Sequence, residues 1–208
     1  MRGSDGNDGS NVRVATHDDL STIGTTHGAA FLDDPIARWM VGERRTTEKR
    51  VGRIYEALAA GHLGDGLSYM TPDGEAVAVW AAPKRFKVPI RKFTRHIPGV
   101  LRALGPAGFA RLVSMADVEK MHPPEPHYYL AVLGTHPDQQ GHGYATATMS
   151  PVFRRADAEG VGCYLESSKE ENVPFYRRNG FEVTGTYDLS GGRGPRMWLM
   201  WRDPQPTG

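Results

Sequence analysis

The sequence predicts a single α/β domain built on a mixed sheet. Three observations point to it. Short apolar runs alternate with longer segments whose apolar residues recur at helical spacing. Turn residues separate most of these segments. The last third reads strand, helix, strand, helix, strand, strand, an order that needs both parallel and antiparallel neighbours. The chain's 208 residues suffice for one sizeable core and are too few for two ordinary domains. A hydrophobic content of 39% and a charged content of 24% are those of a soluble globular protein.

The elements follow in order. Val12–Thr16 is a first strand, and Thr16 is placed to cap a helix that starts at His17-Asp18-Asp19-Leu20. That helix runs towards Phe31 and stops near Asp33-Asp34, because Pro35 pushes its predecessor out of helical geometry. Ile36–Met40 forms a short helix. Thr46–Leu63 forms a long one, with Val51, Ile54, Tyr55 and Leu58 on one face. Leu67–Thr71 and Glu75–Ala82 make a hairpin around Pro72-Asp73-Gly74. Ile90–Leu104 and Phe109–Met121 are two helices parted by Gly105-Pro106, and His122-Pro123-Pro124-Glu125-Pro126 is a stiff, extended connector. Then come a strand, Tyr128–Thr135, a glycine turn, a helix, Tyr144–Glu159, and a strand, Gly162–Ser167. Asn172–Arg178 is a short helix stopped by Asn179-Gly180. Phe181–Tyr187 and Met197–Trp201 are the last strands, joined by the loop Ser190–Pro195. The folded domain is expected over residues 12–203, with tails at 1–11 and 204–208; the first tail is rich in Gly, Asp, Asn and Ser and is expected to be disordered.

Composition removes several function classes. A formal net charge of +1 gives no electrostatic case for nucleic acid. No apolar run reaches the roughly 18 residues of a membrane span, and Met1–Asn11 lacks the apolar core of a signal peptide. The single cysteine, Cys163, allows no intrachain disulfide, so a cytoplasmic location is expected. Cys163 reads as a buried strand residue and not as a nucleophile. His122, Glu125 and His127 do not read as a metal site, because the prolines between them hold the backbone extended.

The glycine turn Gln140-Gly141-His142-Gly143-Tyr144-Ala145 carries the chemistry. Glycines at a strand-to-helix junction let the backbone approach a ligand, and a helix start offers unpaired N–H groups and a positive dipole end to phosphate. A nucleoside-triphosphate P-loop requires Lys then Ser or Thr after its last glycine, and Tyr144-Ala145 stands there instead. A dinucleotide fold requires a third small residue where Thr146 stands, a turn directly after the strand, and further parallel units. Coenzyme A fits better. Its pyrophosphate would meet the amides of residues 140–145, and its pantetheine arm would pair with exposed peptide groups near Leu133 and Thr135 if that strand splays from its neighbour.

Gln140, Gly143 and Ala145, followed by Leu165-Glu166-Ser167-Ser168, Asn172 and Pro174-Phe175-Tyr176-Arg177-Arg178-Asn179-Gly180-Phe181, resemble the two signature blocks of the GNAT superfamily of N-acetyltransferases. Asp33-Asp34-Pro35, Ala76–Trp80, Pro126–Ala131 and Gly194–Trp198 resemble segments of puromycin N-acetyltransferase and its relatives, a group that acetylates amines on small molecules including antibiotics. The resemblance implies the GNAT fold, a mostly antiparallel sheet with a splayed strand pair flanked by helices. It implies acetyl-coenzyme A as cosubstrate, no metal, and a small-molecule amine as acceptor. Monomer and homodimer stay open.

By the same resemblance, Glu166 is the base and Tyr176 the acid that protonates the leaving thiolate. Leu133, Gly134, Thr135, Gln140, Gly141, His142, Gly143, Tyr144, Ala145, Asn172 and Tyr176 bind the cosubstrate. Phe31, Trp39, Trp80, His127 and Tyr128 are candidates for the acceptor site, with His127 also an alternative base. Strand alternation sends Tyr128 and Tyr129 to opposite faces, so at most one of them faces the acceptor. Lys84, Arg85, Lys87, Arg91, Lys92 and Arg95 form a basic run, open to an anionic acceptor or to the 3′-phosphate of coenzyme A.

Overall fold

Helix ends in this protein are set by side chains close in sequence. Thr16 and Asp19 form a reciprocal capping box before α1 (Leu20–Ala30). Asp34 accepts from the N–H of Ala37 at 2.8 Å and starts α2 (Pro35–Val41). Thr47 caps α3 (Glu48–His62). The structure is a computed structural model that describes residues 11–88, 92 and 94–206. The tail expected at 1–11 therefore lies almost wholly outside the described residues, as do Ile90, Arg91 and the last two residues.

Seven strands form one sheet in the order β1-β2-β3-β4-β5-β7-β6. They are β1 (Arg13–Val14), β2 (Tyr69–Met70), β3 (Ala76–Ala81), β4 (His127–Thr135), β5 (Gly162–Ser167), β6 (Glu182–Asp188) and β7 (Arg196–Arg202). Only β4 and β5 pair in parallel. Between them runs α5 (Tyr144–Glu159), bounded by Gly143 and Gly160, both left-handed. The short helix α6 (Val173–Arg178) follows β5. No helix among the described residues is long and apolar enough to cross a membrane.

The segment expected to hold two helices differs in detail. A helix α4 (Ile97–Ser114) begins after a 3-10 turn and kinks at Gly105, where φ is +67°, immediately before Pro106. Met115–Met121 continues as a 3-10 helix. An α-helix and a 3-10 helix have similar side-chain spacing over one or two turns, so the pattern alone does not separate them. The loop Ser190–Pro195 contains a short helical turn, Leu189–Gly192, with positive φ at Ser190 and Gly191.

The β3–β4 ladder carries one irregularity. Val79 pairs with Val132 but Trp80 pairs with Leu130, so Ala131 is an extra residue in β4. The bulge changes which face of the sheet the following residues meet. Tyr128 and Leu130 pack in the core beneath α5, with Met149, Val152 and Phe153, whereas Val132 joins the opposite core of Ile23, Ala59, Ala60, Val77 and Val79 beneath α1 and α3. A third cluster joins α2, α3 and α4 through Ile36, Met40, Val51 and Leu104.

α1 and α3 pack backbone to backbone. A Cβ on Gly52 would sit 2.3 Å from the Gly24 carbonyl oxygen, and one on Gly28 would sit 2.5 Å from the Glu48 carbonyl oxygen. Neither oxygen belongs to a mobile side chain, so the helices would have to separate. Gly52→Ala is expected to destabilise the fold by about 1–3 kcal/mol, the usual range for overpacking, despite the better helix propensity of Ala. A lower thermal midpoint than the parent's is the expected result; an equal or higher one would mean that α1 can shift without loss.

Candidate active site

β4 leaves β5 after three residue pairs, His127↔Gly162, Tyr128↔Cys163 and Tyr129↔Tyr164. Beyond them β4 stays on β3 to Thr135, and β5 stays on β7 to the Ser167↔Trp198 pair. The strands diverge, and a cavity of about 270 Å³ lies along the gap. Leu130–Leu133 and Leu165–Ser167 line one side of it, Phe31 at the end of α1 and Tyr55 of α3 another, and Leu112, Met115 and Val118 a third. Tyr176 and Asn172 complete the lining beside β5.

Two titratable groups predicted as the catalytic pair, Glu166 and Tyr176, therefore share one mostly apolar cavity. The Glu166 side chain is only 3% exposed. Burial pushes its carboxyl up to about 7, while the phenols of Tyr129 and Tyr164 act in the opposite direction. Its Oε1 is buried without a hydrogen-bond partner. Burial and the nearby Asp34 raise the Tyr176 phenol, so it stays protonated at neutral pH. Asp34 also lines the cavity. It caps α2, takes a short hydrogen bond from the Ser168 hydroxyl, and is raised by burial. Beside it Lys169 pairs with Asp33 at 2.6 Å, tying the α1–α2 turn to the end of β5.

The glycine turn opens at the far end of β4. Gly141 and Gly143 have φ of +83° and +80°, and a Cβ at either would meet nothing within 4 Å. The surface there is an open cradle at the start of a 16-residue helix, whose first-turn N–H groups lack intrahelical acceptors. Gln140 folds back to donate to the Thr135 carbonyl at 3.5 Å, and His142 stacks on Tyr144. Gly134 meets α1, since a Cβ on it would lie 2.5 Å from the His27 ring. Ala145 follows Tyr144 in the first turn of α5. Asn172 precedes α6 without making a side-chain cap. The cradle follows the end of β4, whose Leu130–Leu133 line the cavity.

Four residues expected at the acceptor site, Tyr128, Trp80, Trp39 and His127, lie off this cavity. Tyr128 faces the core under α5, and its hydroxyl donates to Glu159 at 2.6 Å. Tyr129 is the one on the cavity, as parity requires once Tyr128 is turned away. Trp80 is fully buried beneath α5, edge-on to Phe153, because it lies two residues along β3 from the inward-facing Ala78. Trp39 sits in a separate open depression with Arg111 over its ring. His127 is buried off the cavity, stacked near His122 and Phe86. Phe31 does line the cavity, stacked on Tyr55 at 4.4 Å between ring centroids.

Asp34, Tyr164 and His122 were not expected as site residues, and Tyr129 was expected only as the alternative to Tyr128. Tyr164 was open to inference, since it lies two residues before Glu166 and shares its face of β5. The basic run is partly neutralised, with Arg85 on Asp65 and Lys87 on Glu119, each at 3.4 Å. Cys163 is fully buried, and burial pushes its thiol up to about 12.

A family model described as the Acetyltransferase (GNAT) family matches residues 80–181, the stretch that holds β4, the glycine turn, α5, Glu166 and Tyr176. Just under half of the chain matches this family, and the fold is the GNAT fold. Members of this family use acetyl-coenzyme A. The chain is 24% identical over 163 residues to an uncharacterized N-acetyltransferase of Schizosaccharomyces pombe. That match covers 73% of the chain and 66% of the relative, so it spans just under two-thirds of the yeast protein's length. Among solved structures, a Corynebacterium glutamicum protein described as histone acetyltransferase HPA2 and related acetyltransferase superposes with a TM-score of 0.64 at 23% identity, covering 95% of this chain and 98% of that one. A Drosophila melanogaster polyamine N-acetyltransferase gives 0.62 at 13% identity, with 93% and 99% covered. Arylalkylamine N-acetyltransferase 2 of Aedes aegypti gives 0.62 at 12% identity, with 94% and 99% covered. At these identities the likeness is one of fold.

The backbone favours glycine at position 143, where φ is +80°. A side chain there would hold a left-handed conformation at a cost of roughly 1–2 kcal/mol. Gly143→Ala is expected to weaken acetyl-coenzyme A binding about tenfold in titration calorimetry. Unchanged affinity would place the diphosphate elsewhere.

Proposed function

We propose that this acetyltransferase moves the acetyl group of acetyl-coenzyme A onto the amine of a compact, partly apolar small molecule, by direct attack with both substrates bound. The observation that carries the reading is a single lined cavity in which a buried carboxyl, Glu166, and a protonated phenol, Tyr176, face the same space. At about 270 Å³ the cavity lies near the lower end of ligand pockets, roughly 300–1,000 Å³. The 3-10 helix and the end of α4 cover it through Leu112, Met115 and Val118. That cover opposes an extended peptide acceptor, which needs a long open groove. The resemblance to puromycin N-acetyltransferase and its relatives supports an aminonucleoside, an antibiotic or another natural-product amine.

When bound, acetyl-coenzyme A supplies a thioester carbonyl open to the amine nitrogen. Glu166 takes a proton from the incoming ammonium, directly or through a water, and so frees the nitrogen lone pair. A backbone N–H near Leu133 meets the charge that develops on the carbonyl oxygen. As the C–N bond forms and the C–S bond breaks, Tyr176 donates its phenolic proton to the departing sulfur, and the second proton that the nitrogen loses on becoming an amide restores the phenol. Asn172 is a contact for the pantetheine arm. Holding both substrates in one cavity removes much of the entropic barrier to their meeting.

Three measurements test this. Glu166 must be ionised to act, and its carboxyl is raised to about 7, so kcat/KM is expected to fall as pH drops through that value. Glu166→Gln should flatten this acidic limb; an unaltered limb would assign the base elsewhere. Tyr176→Phe should lower kcat by roughly tenfold to a thousandfold while acetyl-coenzyme A still binds; parental turnover would remove the acid role. An amine panel that includes puromycin and short peptides, read by release of free thiol, should show turnover of compact amines. Turnover confined to peptides would overturn the acceptor class.

A further inference from the structure

Four groups form a line that begins at Glu166 and runs away from the cavity. Glu166 Oε1 lies 3.5 Å from His122 Nε2. His122 Nδ1 lies 3.0 Å from His127 Nε2. His127 Nδ1 lies 2.7 Å from the Glu125 carbonyl oxygen. Phe86 stacks on the His122 ring at 3.9 Å between centroids, and Tyr164 lies against both imidazoles. The reaction as described above uses neither histidine.

The carbonyl at one end fixes the tautomers along the line. A carbonyl oxygen only accepts, so His127 carries its hydrogen on Nδ1. When His127 is neutral its Nε2 is bare, and His122 must then donate from Nδ1. When His122 is neutral its own Nε2 is bare, and it faces Glu166. An ionised carboxylate also only accepts. The line therefore ends in two facing acceptors whenever Glu166 is ionised and both histidines are neutral. The 3.5 Å separation and the unpartnered Oε1 match that arrangement. One proton placed between Oε1 and Nε2 completes every hydrogen bond in the line.

We propose that His122, locked in one tautomer by His127, is a positioning residue that strengthens Glu166 as a base, its bare Nε2 destabilising the ionised carboxylate and then sharing the proton that Glu166 takes from the acceptor amine. The proposal rests on the reading of Glu166 as the base. An N–H bond of the ammonium breaks and its electron pair stays on nitrogen. An O–H bond forms on Glu166 and is held by His122 Nε2, and solvent receives that proton when the products leave. Burial, His127 and Lys87 lower the His122 imidazole to about 4, which keeps it neutral while Glu166 is active. The other titratable groups around the line are Tyr129 and Tyr164 on the strands, Lys87 and Glu119 from the segment before the connector, and Glu125 on the connector itself.

The pH dependence of kcat/KM tests the proposal. His122→Gln puts an amide N–H where the bare nitrogen stood, which favours the carboxylate. Its acidic limb should move down by about one pH unit, and kcat should fall about tenfold with the KM for acetyl-coenzyme A unchanged. His127→Phe frees His122 to turn its hydrogen towards Glu166, so its limb should move the same way. The double variant should move no further than His122→Gln alone, since both changes act through one contact. A limb that stays in place in His122→Gln, while Glu166→Gln flattens it, would overturn the proposal and leave Glu166 as a base acting alone. A limb that survives Glu166→Gln would instead remove the base reading, and the proposal with it. Nitrogen NMR of histidine-labelled parent protein at neutral pH needs no variant: both rings should be neutral with hydrogen on Nδ1, and hydrogen on His122 Nε2 would overturn the proposal.

Discussion

The parallel ladder between β4 and β5 ends at Tyr129 and Tyr164, and the rest of the site depends on that ending. Ala131, the extra residue of β4, lies two positions beyond the last pair. A strand that loses a neighbour in mid-sheet has peptide groups with no sheet partner on that side, and such groups must be satisfied by something. Here the gap continues into the cavity and towards the glycine turn. The bulge also sets which side chains enter it, because it reverses the alternation of β4 at the point where the two strands part.

Burial then sets the acid–base chemistry. The surroundings that push Glu166 up to about 7 also push the Tyr176 phenol up. Desolvation disfavours the charged form of each. For the carboxyl this gives a group able to accept a proton near neutral pH, and for the phenol one that stays protonated there. Asp34, a third buried acid on the same cavity, is committed to capping α2 and to the Ser168 hydroxyl.

Much of the fold was legible because local chemistry decides it. The bounds of α5 and β5 match the residues expected, since Gly143 and Gly160 punctuate the helix and the strand is a short apolar run between turns. The first two strands are shorter than expected. They lie at the edge of the sheet, where β1 has one neighbour and only two residues of it are paired. Glu166 and Tyr176 stood out through their spacing within the second signature block. The aromatic residues did not sort themselves, because a Trp or Tyr in sequence has no direction until the faces of the sheet are known. Parity narrowed Tyr128 and Tyr129 to one, and only the packing under α5 chose between them. The meeting of His122 with His127 was hidden by the connector. Its prolines suggested an extended path, yet the backbone bends at residues 122, 124 and 125 and brings the two rings together.

The cavity draws its lining from two separate stretches of chain. Phe31, Tyr55, Leu112, Met115 and Val118 all precede β4, while the glycine cradle, Glu166 and Tyr176 all lie within or after it. On the proposed reading, the surfaces that would meet the two substrates are thus encoded by different parts of the gene. Exchange of the first part between related chains, or drift within it, can change which amine is accepted and leave the handling of the thioester intact. One catalytic part can in this way serve many acceptors.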